Sequence, residues 1–211
     1  MIENVRQKPR QSRSEQTIED IIEASIQVLE RSEEPVFTTT QVAERAGIAV
    51  GSLYRYFPDK GALLRFIVLR EIEKMSHPIL SVIETSTATN TDELMSEVIQ
   101  AGLARSQFAN RRRALAGLQN QIQDDKALNS EIQATRVTVL RCLHDRLRTF
   151  EPDRFGPLTE VQMNAVANAY RSALITLSPI DGHETTLHKV QARLVLALLS
   201  AMSDDFYSAS L

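Results

Sequence analysis

Apolar residues recur at helical spacing along almost the whole chain. In the first such segment the apolar face carries Ile18, Ile21, Ile22, Ile26 and Leu29. A spacing of three to four residues is typical of amphipathic helices, and no alternating strand pattern is long enough to compete with it. The pattern therefore predicts an all-α protein of about nine helices.

A short second helix follows the first. The segment Thr38–Gln41 matches a capping box. In this motif the hydroxyl of the first residue, a Thr, accepts a hydrogen bond from the backbone amide three residues later, and the side chain of that later residue, a Gln, accepts one from the amide of the Thr. This predicts a helix running to Ala46, with Val42 and Ala43 facing inward. Gly47 is well placed to end it, because a helix C-terminus often needs a left-handed residue.

Two further helices are predicted from position 50 onwards. The third should run from about Val50 to Phe57, with Leu53 and Phe57 inward and Asp59 capping the fourth. Pro78 should end or kink that fourth helix, and the polar stretch 85–91 is the best linker candidate. Later helices are predicted over 92–107, 111–123, 126–150, 159–177 and 184–206, with a second capping box at 159–162.

The last two predicted helices are apolar over a wide arc. A helix that is apolar on every side must be covered on every side. One side should face the core and the other a second subunit, although a central helix in a monomer would show the same pattern. A homodimer is favoured, with its interface at Val166, Tyr170, Ala173, Leu174, Leu194, Leu198, Ala201 and Met202.

Composition narrows the class of protein. The 211 residues fit one large domain or two small ones. Cys142 is alone, which fits a reducing cytosol. The first residues lack the apolar stretch of a signal peptide, and the longest apolar run, 194–199, is far too short to span a bilayer. We therefore expect a cytoplasmic protein.

Charge is unevenly distributed. The net charge of −3 argues against a uniformly basic nucleic-acid binder. Residues 1–14, however, carry one acidic residue, Glu3, and four basic residues, Arg6, Lys8, Arg10 and Arg13. This basic segment could be an arm that reaches a phosphate backbone, and it could equally be a disordered solubilising tail.

The turn at 46–48 joins two short helices into a helix-turn-helix. In that motif the second helix lies in the major groove of DNA, and flanking residues hold phosphates. Val50 could contact a thymine methyl group, Ser52 could donate or accept, and Arg55 could reach a phosphate or a guanine. The alternative is that Tyr54 and Tyr56 close a small core and Arg55 is solvated.

The stretch FTTTQVAERAGIAVGSLYRYFPDKGALL (37–64) carries a Thr pair, A-x-x-A-G-I, G-S-L-Y-x-Y-F and K-x-x-L-L. With these motifs the chain resembles the tetracycline-repressor (TetR) family of bacterial transcriptional regulators over about residues 15–75. The resemblance implies a helix-turn-helix DNA-binding domain at 15–62 and an effector-binding and dimerisation domain at 63–211. The charge distribution adds a flexible basic arm at 1–14.

The resemblance also implies residue roles. Thr38 or Thr39 would cap the second helix, and the remaining candidates would face bases or grip phosphates. The implied DNA-binding set is Thr38, Thr39, Thr40, Val50, Gly51, Ser52, Tyr54, Arg55, Tyr56 and Lys60. Two positions depart from the family pattern, because Ala49 stands where a capping Ser or Thr is usual and Val50 where a polar or basic residue is frequent.

For the C-terminal region the resemblance implies a homodimer that binds a palindromic operator in double-stranded DNA. A small-molecule effector would bind among the middle helices, shift the fourth helix and change the spacing of the two DNA-reading heads. Effector and operator must then weaken each other by the same factor. The candidate pocket residues, any of which could also be plain core, are Met95, Ile99, Leu103, Phe108, Leu118, Ile122, Leu140, Met163 and Tyr170.

Other functions find less support. An enzyme or lipid-binding module would need a convergent acid–base or metal set, and none is evident, so we expect no catalysis, cofactor or metal. His183 and His188 are five residues apart, which points their side chains in different directions on a helix. The run 111–113 of three arginines could bind an anionic effector or simply be a solvated helix start. An activator or an architectural binder without a ligand remains the rival within the DNA-binding class.

Overall fold

The computed structural model describes residues 8–31, 37–103, 124–176 and 184–203. All regular elements in these ranges are helices, which confirms the all-α class. They are α1 (Lys8–Arg31), α2 (Thr39–Arg45), α3 (Val50–Tyr56), α4 (Lys60–Thr85), α5 (Thr91–Leu103), α6 (Lys126–Phe150), α7 (Glu160–Thr176) and α8 (Glu184–Ser203). The helix predicted at 111–123 lies outside the described residues.

The described residues form two compact units. The first extends to Arg70 and includes Asp125, and the second comprises the residues from Glu71 to α5 and from α6 onwards. The boundary thus falls inside α4, further along than the predicted position at 62–63. Arg70 forms an ion pair with Glu19 of α1, and Arg65 forms one with Asp125, so this stretch of α4 is held within the first unit.

The capping box predicted for α2 is confirmed. The amide of Gln41 donates to the Thr38 hydroxyl at 3.2 Å, and the amide of Thr38 donates to the Gln41 side-chain oxygen at 3.2 Å. Thr38 is therefore the N-cap, whereas Thr39 is the first helical residue and is buried. Val42 and Ala43 face inward as predicted and are completely buried.

The turn between α2 and α3 is a Schellman motif. Gly47 has a φ of 68°, and its amide donates to the carbonyl of Glu44 at 3.2 Å. The amide of Ile48 donates to the carbonyl of Ala43 at 2.9 Å. Both bonds satisfy carbonyl groups at the end of α2, so the left-handed residue predicted at Gly47 is confirmed.

Helix α4 does not end at Pro78, because it continues to Thr85. A proline inside a helix removes one hydrogen bond and costs about 3 kcal/mol or more. The turns that follow it carry Ile79 and Ile83, which pack in the core of the second unit. Burial of these side chains offsets the lost hydrogen bond. Because this burial depends on helices distant in the sequence, the residues around Pro78 do not reveal it.

The connection 86–90 lies within the second unit and is tied down, so it is not the linker that its composition suggested. Arg146 of α6 donates to the carbonyls of Ser86 at 3.2 Å and Ala88 at 3.3 Å. The side chain of Asn90 accepts the amide of Glu93 at 2.9 Å and so caps α5. The polar residues of this stretch thus serve as hydrogen-bonding partners.

The core of the second unit combines residues from α4, α5, α6, α7 and α8 with one residue of the connection before α5 and one of the loop after α6. Its buried members are Ile83, Ala88, Leu94, Met95, Leu140, Leu143, Leu147, Phe155, Met163, Val166, Ala167, Val195 and Leu199. His144 is also buried, and its Nε2 has no hydrogen-bonding partner among the described residues. Burial lowers the pKa of His144, although the carboxylate of Asp145 opposes the shift. The imidazole is therefore a neutral component of this core.

Gly47→Ala should destabilise the first unit by about 1–2 kcal/mol, because a Cβ strains a left-handed backbone. No described atom lies within 4 Å of a Cβ built at Gly47, so the backbone alone carries the cost. Hydrogen exchange at the amide of Ile48, which bonds across the turn, should accelerate about tenfold or more.

Gly51→Ala is the matched control. Gly51 lies inside α3 with ordinary backbone angles, and no described atom is within 4 Å of its Cβ position. This change should stabilise the unit by about 0.5–1 kcal/mol, since Ala is the better helix former. Equal effects of the two substitutions would contradict the importance of the left-handed turn.

Candidate nucleic-acid interface

Helix α3 has one buried side and one exposed side. Leu53 is 0% exposed and Phe57 is 5% exposed, as predicted for the inward face. The ring of Phe57 meets that of Phe66 edge-on, with 5.4 Å between centroids. On the other side Tyr54 and Arg55 are exposed. The helix is therefore anchored by one apolar face and presents a polar one.

Tyr54 connects α3 to α2. Its hydroxyl lies 3.0 Å from the hydroxyl of Thr39, so one donates to the other. The Tyr54 side chain nevertheless remains 45% exposed. A phenol can both donate and accept, so the Thr39 bond orients the group and leaves it hydrogen-bonding capacity.

Tyr56 connects α3 to α1. Its phenol forms hydrogen bonds with the side chains of Ser14 and Thr17. These bonds, first from Ser14 and then from Thr17, lower the pKa of Tyr56 below its ordinary value because they stabilise the phenolate. The positive charge of Arg55 acts in the same direction. The tyrosine is therefore held by the first unit itself.

The start of α4 supplies a cation beside α3. The Nζ of Lys60 lies 5.6 Å from the centroid of the Phe37 ring, a cation–π arrangement. Asp59 caps α4, as predicted, by accepting the amide of Ala62 at 2.7 Å. Lys60 remains exposed, so Phe37 orients its ammonium group without removing it from solvent.

The N-terminus of α3 lacks a side-chain cap within the described part of the chain, since Ala49 is the N-cap residue. The Ala49 carbonyl still accepts the amides of Ser52 at 2.8 Å and Leu53 at 3.3 Å. Replacing a capping Ser or Thr by Ala typically costs about 1 kcal/mol. Without that cap, α3 is stabilised by the burial of Leu53 and by the Schellman turn that precedes it.

The residues predicted to bind DNA differ in exposure. Thr39 is buried, and its hydroxyl forms a hydrogen bond with that of Tyr54. It therefore supports an exposed side chain and is not itself exposed. Half-buried members of the set are Thr38, Val50, Ser52 and Tyr56, and exposed members are Thr40, Gly51, Tyr54, Arg55 and Lys60. Most of them lie on α2 or α3, while Thr38 is the N-cap of α2 and Lys60 is the first residue of α4. All of them belong to the first unit.

The predicted effector pocket is only partly described. Met95, Leu140 and Met163 are buried in the core of the second unit, while Ile99 and Tyr170 are half-buried. Phe108, Leu118 and Ile122 lie outside the described residues, and so does the side chain of Leu103.

The predicted dimer residues separate into two groups. Val166 is 0% exposed and belongs to the core of a single chain, which corrects its assignment to the interface. Ala201 is exposed, whereas Tyr170, Leu194, Leu198 and Met202 are half-buried. The side chains of Ala173 and Leu174 lie outside the description.

Several contacts around α3 were not predicted. Ser14, Thr17 and Phe37 received no role, although they hold Tyr56 and Lys60. Ser14 and Thr17 are three residues apart, which places them on one face of α1. That spacing was the available signal, but it does not identify a partner beyond α1.

Two kinds of feature are absent from the described ranges. No helix there is both long and apolar enough to cross a membrane. The same residues contain no cluster of three or more potential metal ligands. Helix α8 begins at Glu184, as predicted from the sequence. His183 lies outside the described residues.

Comparison with known proteins bears on the first unit most directly. Residues 21–67 match the family model described as bacterial regulatory proteins, tetR family. The matched region contains α2, α3 and the residues between them. The resemblance to the TetR family that the sequence motifs predict is thereby confirmed over residues 21–67. The sequence matches no curated protein closely enough to serve as a relative.

Solved structures extend the comparison over the chain. A protein assigned to the TetR-family transcriptional regulators from Mesorhizobium loti MAFF303099 has 17% identity and a TM-score of 0.58, covering 91% of this chain and 99% of its own. A TetR family transcription regulator from Marinobacter aquaeolei VT8 has 15% identity and a TM-score of 0.56, with coverages of 90% and 98%. The fatty acid degradation regulator FadR from Bacillus halodurans has 19% identity and a TM-score of 0.53, with coverages of 84% and 97%. These similarities show a common fold.

Ser14→Ala should raise the pKa of Tyr56 towards its ordinary value, because the Ser14 bond contributes most to lowering it. Thr17→Val should produce a smaller rise. An NMR titration of the tyrosine ring carbons measures both. Ser76→Ala, which removes a hydroxyl bonded to the Glu73 carbonyl at 3.2 Å, is the control and should change nothing. An unchanged Tyr56 pKa in Ser14→Ala would show that the bond to α1 is absent.

Proposed function

We propose that this chain is a sequence-specific DNA-binding transcriptional regulator. The observation that carries the proposal is the exposed polar face of α3, where Tyr54 and Arg55 stand opposite the buried Leu53. The match of residues 21–67 to the tetR family supports it. In this proposal α3 lies in the major groove, and Gly51 lets the backbone approach the bases.

The phosphate contacts follow from the same geometry. Phenol hydroxyls and ammonium groups bind phosphate oxygens and fix the position of a protein on the duplex. Tyr54 and Lys60 are exposed, and each is oriented by a neighbour, Thr39 or Phe37. Because these side chains are already ordered, little conformational entropy is lost when DNA binds. Arg55 is left to reach a base edge or a phosphate.

The regulator acts as a homodimer on a palindromic operator. An apolar stripe on α8 supports this, since Val190 is 45% exposed and Ala197 and Ala201 lie further along the same helical face. The half-buried Leu194 and Leu198 extend the stripe. An exposed apolar face of this length is typical of a protein interface, and twofold symmetry of the protein would match a palindromic site.

The proposed mode of regulation is repression that a small-molecule effector relieves in the cytoplasm, without any catalytic activity. Effector binding would use the core of the second unit, where Met95 and Met163 are buried. Methionine side chains adapt readily to irregular shapes, including ligands. The effector and the operator would each lower the affinity of the protein for the other.

Lys60→Ala should weaken binding to the DNA upstream of the chain's own gene and lower the salt slope of the affinity by about one, because one phosphate contact is lost. Fluorescence anisotropy over a series of salt concentrations measures the slope. Tyr54→Phe and Arg55→Ala should each reduce the affinity as well.

The matched control is Lys74→Ala, on the same helix, where the ammonium group lies 3.4 Å from Glu71 in the second unit. Its salt slope should equal that of the wild type. If all three interface variants bind like the wild type, α3 does not read the DNA. Specific binding that increases transcription of the gene would identify an activator instead of a repressor.

Ala197→Glu should convert a dimer to a monomer, because it places a charge in the exposed apolar stripe of α8. Sedimentation velocity at micromolar concentration measures the change. Ala134→Glu, at an exposed alanine of α6, is the matched control and should leave the dimer intact. A wild-type protein that sediments only as a monomer would contradict the proposed assembly.

A further inference from the structure

The outward face of α3 has two chemically different halves. Residues four apart lie on the same side of a helix, so Val50 stands one turn before Tyr54 and Gly51 one turn before Arg55. The second half carries the exposed phenol and guanidinium. The first half carries a half-buried valine and an exposed glycine. The face opposite the buried Leu53 is therefore apolar where α3 begins and polar where it ends.

The first turn of α3 offers few groups that can bond to a base. Ala49, the N-cap residue, and Val50 have no polar side-chain atom, and Gly51 has no side chain. Ser52 is half-buried and supplies the only side-chain hydrogen-bonding group of residues 49–52. None of the four can form the paired hydrogen bonds by which Arg, Asn or Gln recognise a guanine or an adenine. Direct readout by this turn must therefore rest on apolar contact.

The space around this turn is open in the protein. No described atom lies within 4 Å of a Cβ built at Gly51. A glycine at this point lets a base edge approach the backbone closely, so the methyl groups of the neighbouring Val50 can reach the floor of the groove. The side chain of Leu53 is 0% exposed and holds the opposite side of the helix in the core. A helix anchored in the core thus presents the apolar surface outward.

We propose that Val50 is a specificity-determining residue that selects thymine through its C5-methyl group. Thymine is the one base of unmodified DNA that carries a methyl group on its major-groove edge. Burial of that methyl group against valine is favourable. A G·C pair in the same place offers no methyl group, and its polar atoms would lose their hydrogen bonds to water. The operator should therefore carry an A·T pair beneath the first turn of α3 in each half-site.

The neighbouring side chains do not provide this discrimination. Tyr54 and Lys60 are proposed to bind phosphates, which carry no direct sequence information. Arg55 follows Val50 by more than one helical turn, and a guanidinium prefers guanine, so it would read a different base pair. The inference rests on the proposed function and makes it more specific, because it names the base that the first turn of α3 recognises.

Selection of binding sites from a pool of randomised DNA duplexes, with the full-length protein, gives the preferred sequence. Each thymine of that sequence is then replaced by uracil, one position at a time in both half-sites. This change removes the methyl group and leaves the hydrogen-bonding atoms in place. Fluorescence anisotropy should show a position at which uracil weakens binding about fourfold for each methyl group lost. This measurement uses the wild-type protein, so it does not depend on the folding of a variant.

Val50→Ala removes both methyl groups of the valine and should bind the preferred sequence more weakly than the wild type. Its affinity should change by less than about twofold when uracil replaces thymine at the sensitive position, because the contact is already lost. Val161→Ala is the matched control, since Val161 is 80% exposed on α7 in the second unit, and it should keep the full response.

Cytosine at the sensitive position provides an independent check of the methyl contact. It should bind more weakly than thymine, and 5-methylcytosine should recover part of the loss because it restores the methyl group. A methylated base that binds no better than cytosine would contradict the contact.

A preferred sequence without any uracil-sensitive position would overturn the inference, as would an equal response to uracil in the wild type and Val50→Ala. The selection also separates this result from the proposed function. A wild type that enriches a defined sequence without dependence on a methyl group loses only the inference. A wild type that enriches no sequence loses both the inference and the proposed function.

Discussion

The left-handed turn at Gly47 is the constraint on which the first unit depends. It redirects the chain after α2 and lets the amides of Gly47 and Ile48 satisfy the carbonyls of Glu44 and Ala43. The turn sets the direction of α3. With this direction Leu53 lies in the core and Tyr54 lies on the outside. A residue with a Cβ would strain this backbone, so one glycine determines which face of α3 is available to a ligand.

The side chains on and around α3 are oriented by contacts with other residues of the first unit. Tyr54 bonds to Thr39 of α2, and Tyr56 bonds to Ser14 of α1. Lys60 is oriented by the Phe37 ring. Each tyrosine at this site therefore has a structural partner and remains partly accessible to solvent. The alternatives of core and interface, which the sequence left open for the tyrosines, do not exclude each other, because a tyrosine ring can pack while its hydroxyl reaches outward.

Local signals explain which features could be predicted. Capping boxes, the left-handed glycine and the inward spacing of Leu53 and Phe57 are encoded within a few residues, and the structure confirms them. Features that depend on distant residues could not be predicted in this way. The continuation of α4 through Pro78 depends on core packing, and the ordered loop before α5 depends on Arg146 of α6. Val166 has the same local pattern as an interface residue, and only the fold shows it to be internal.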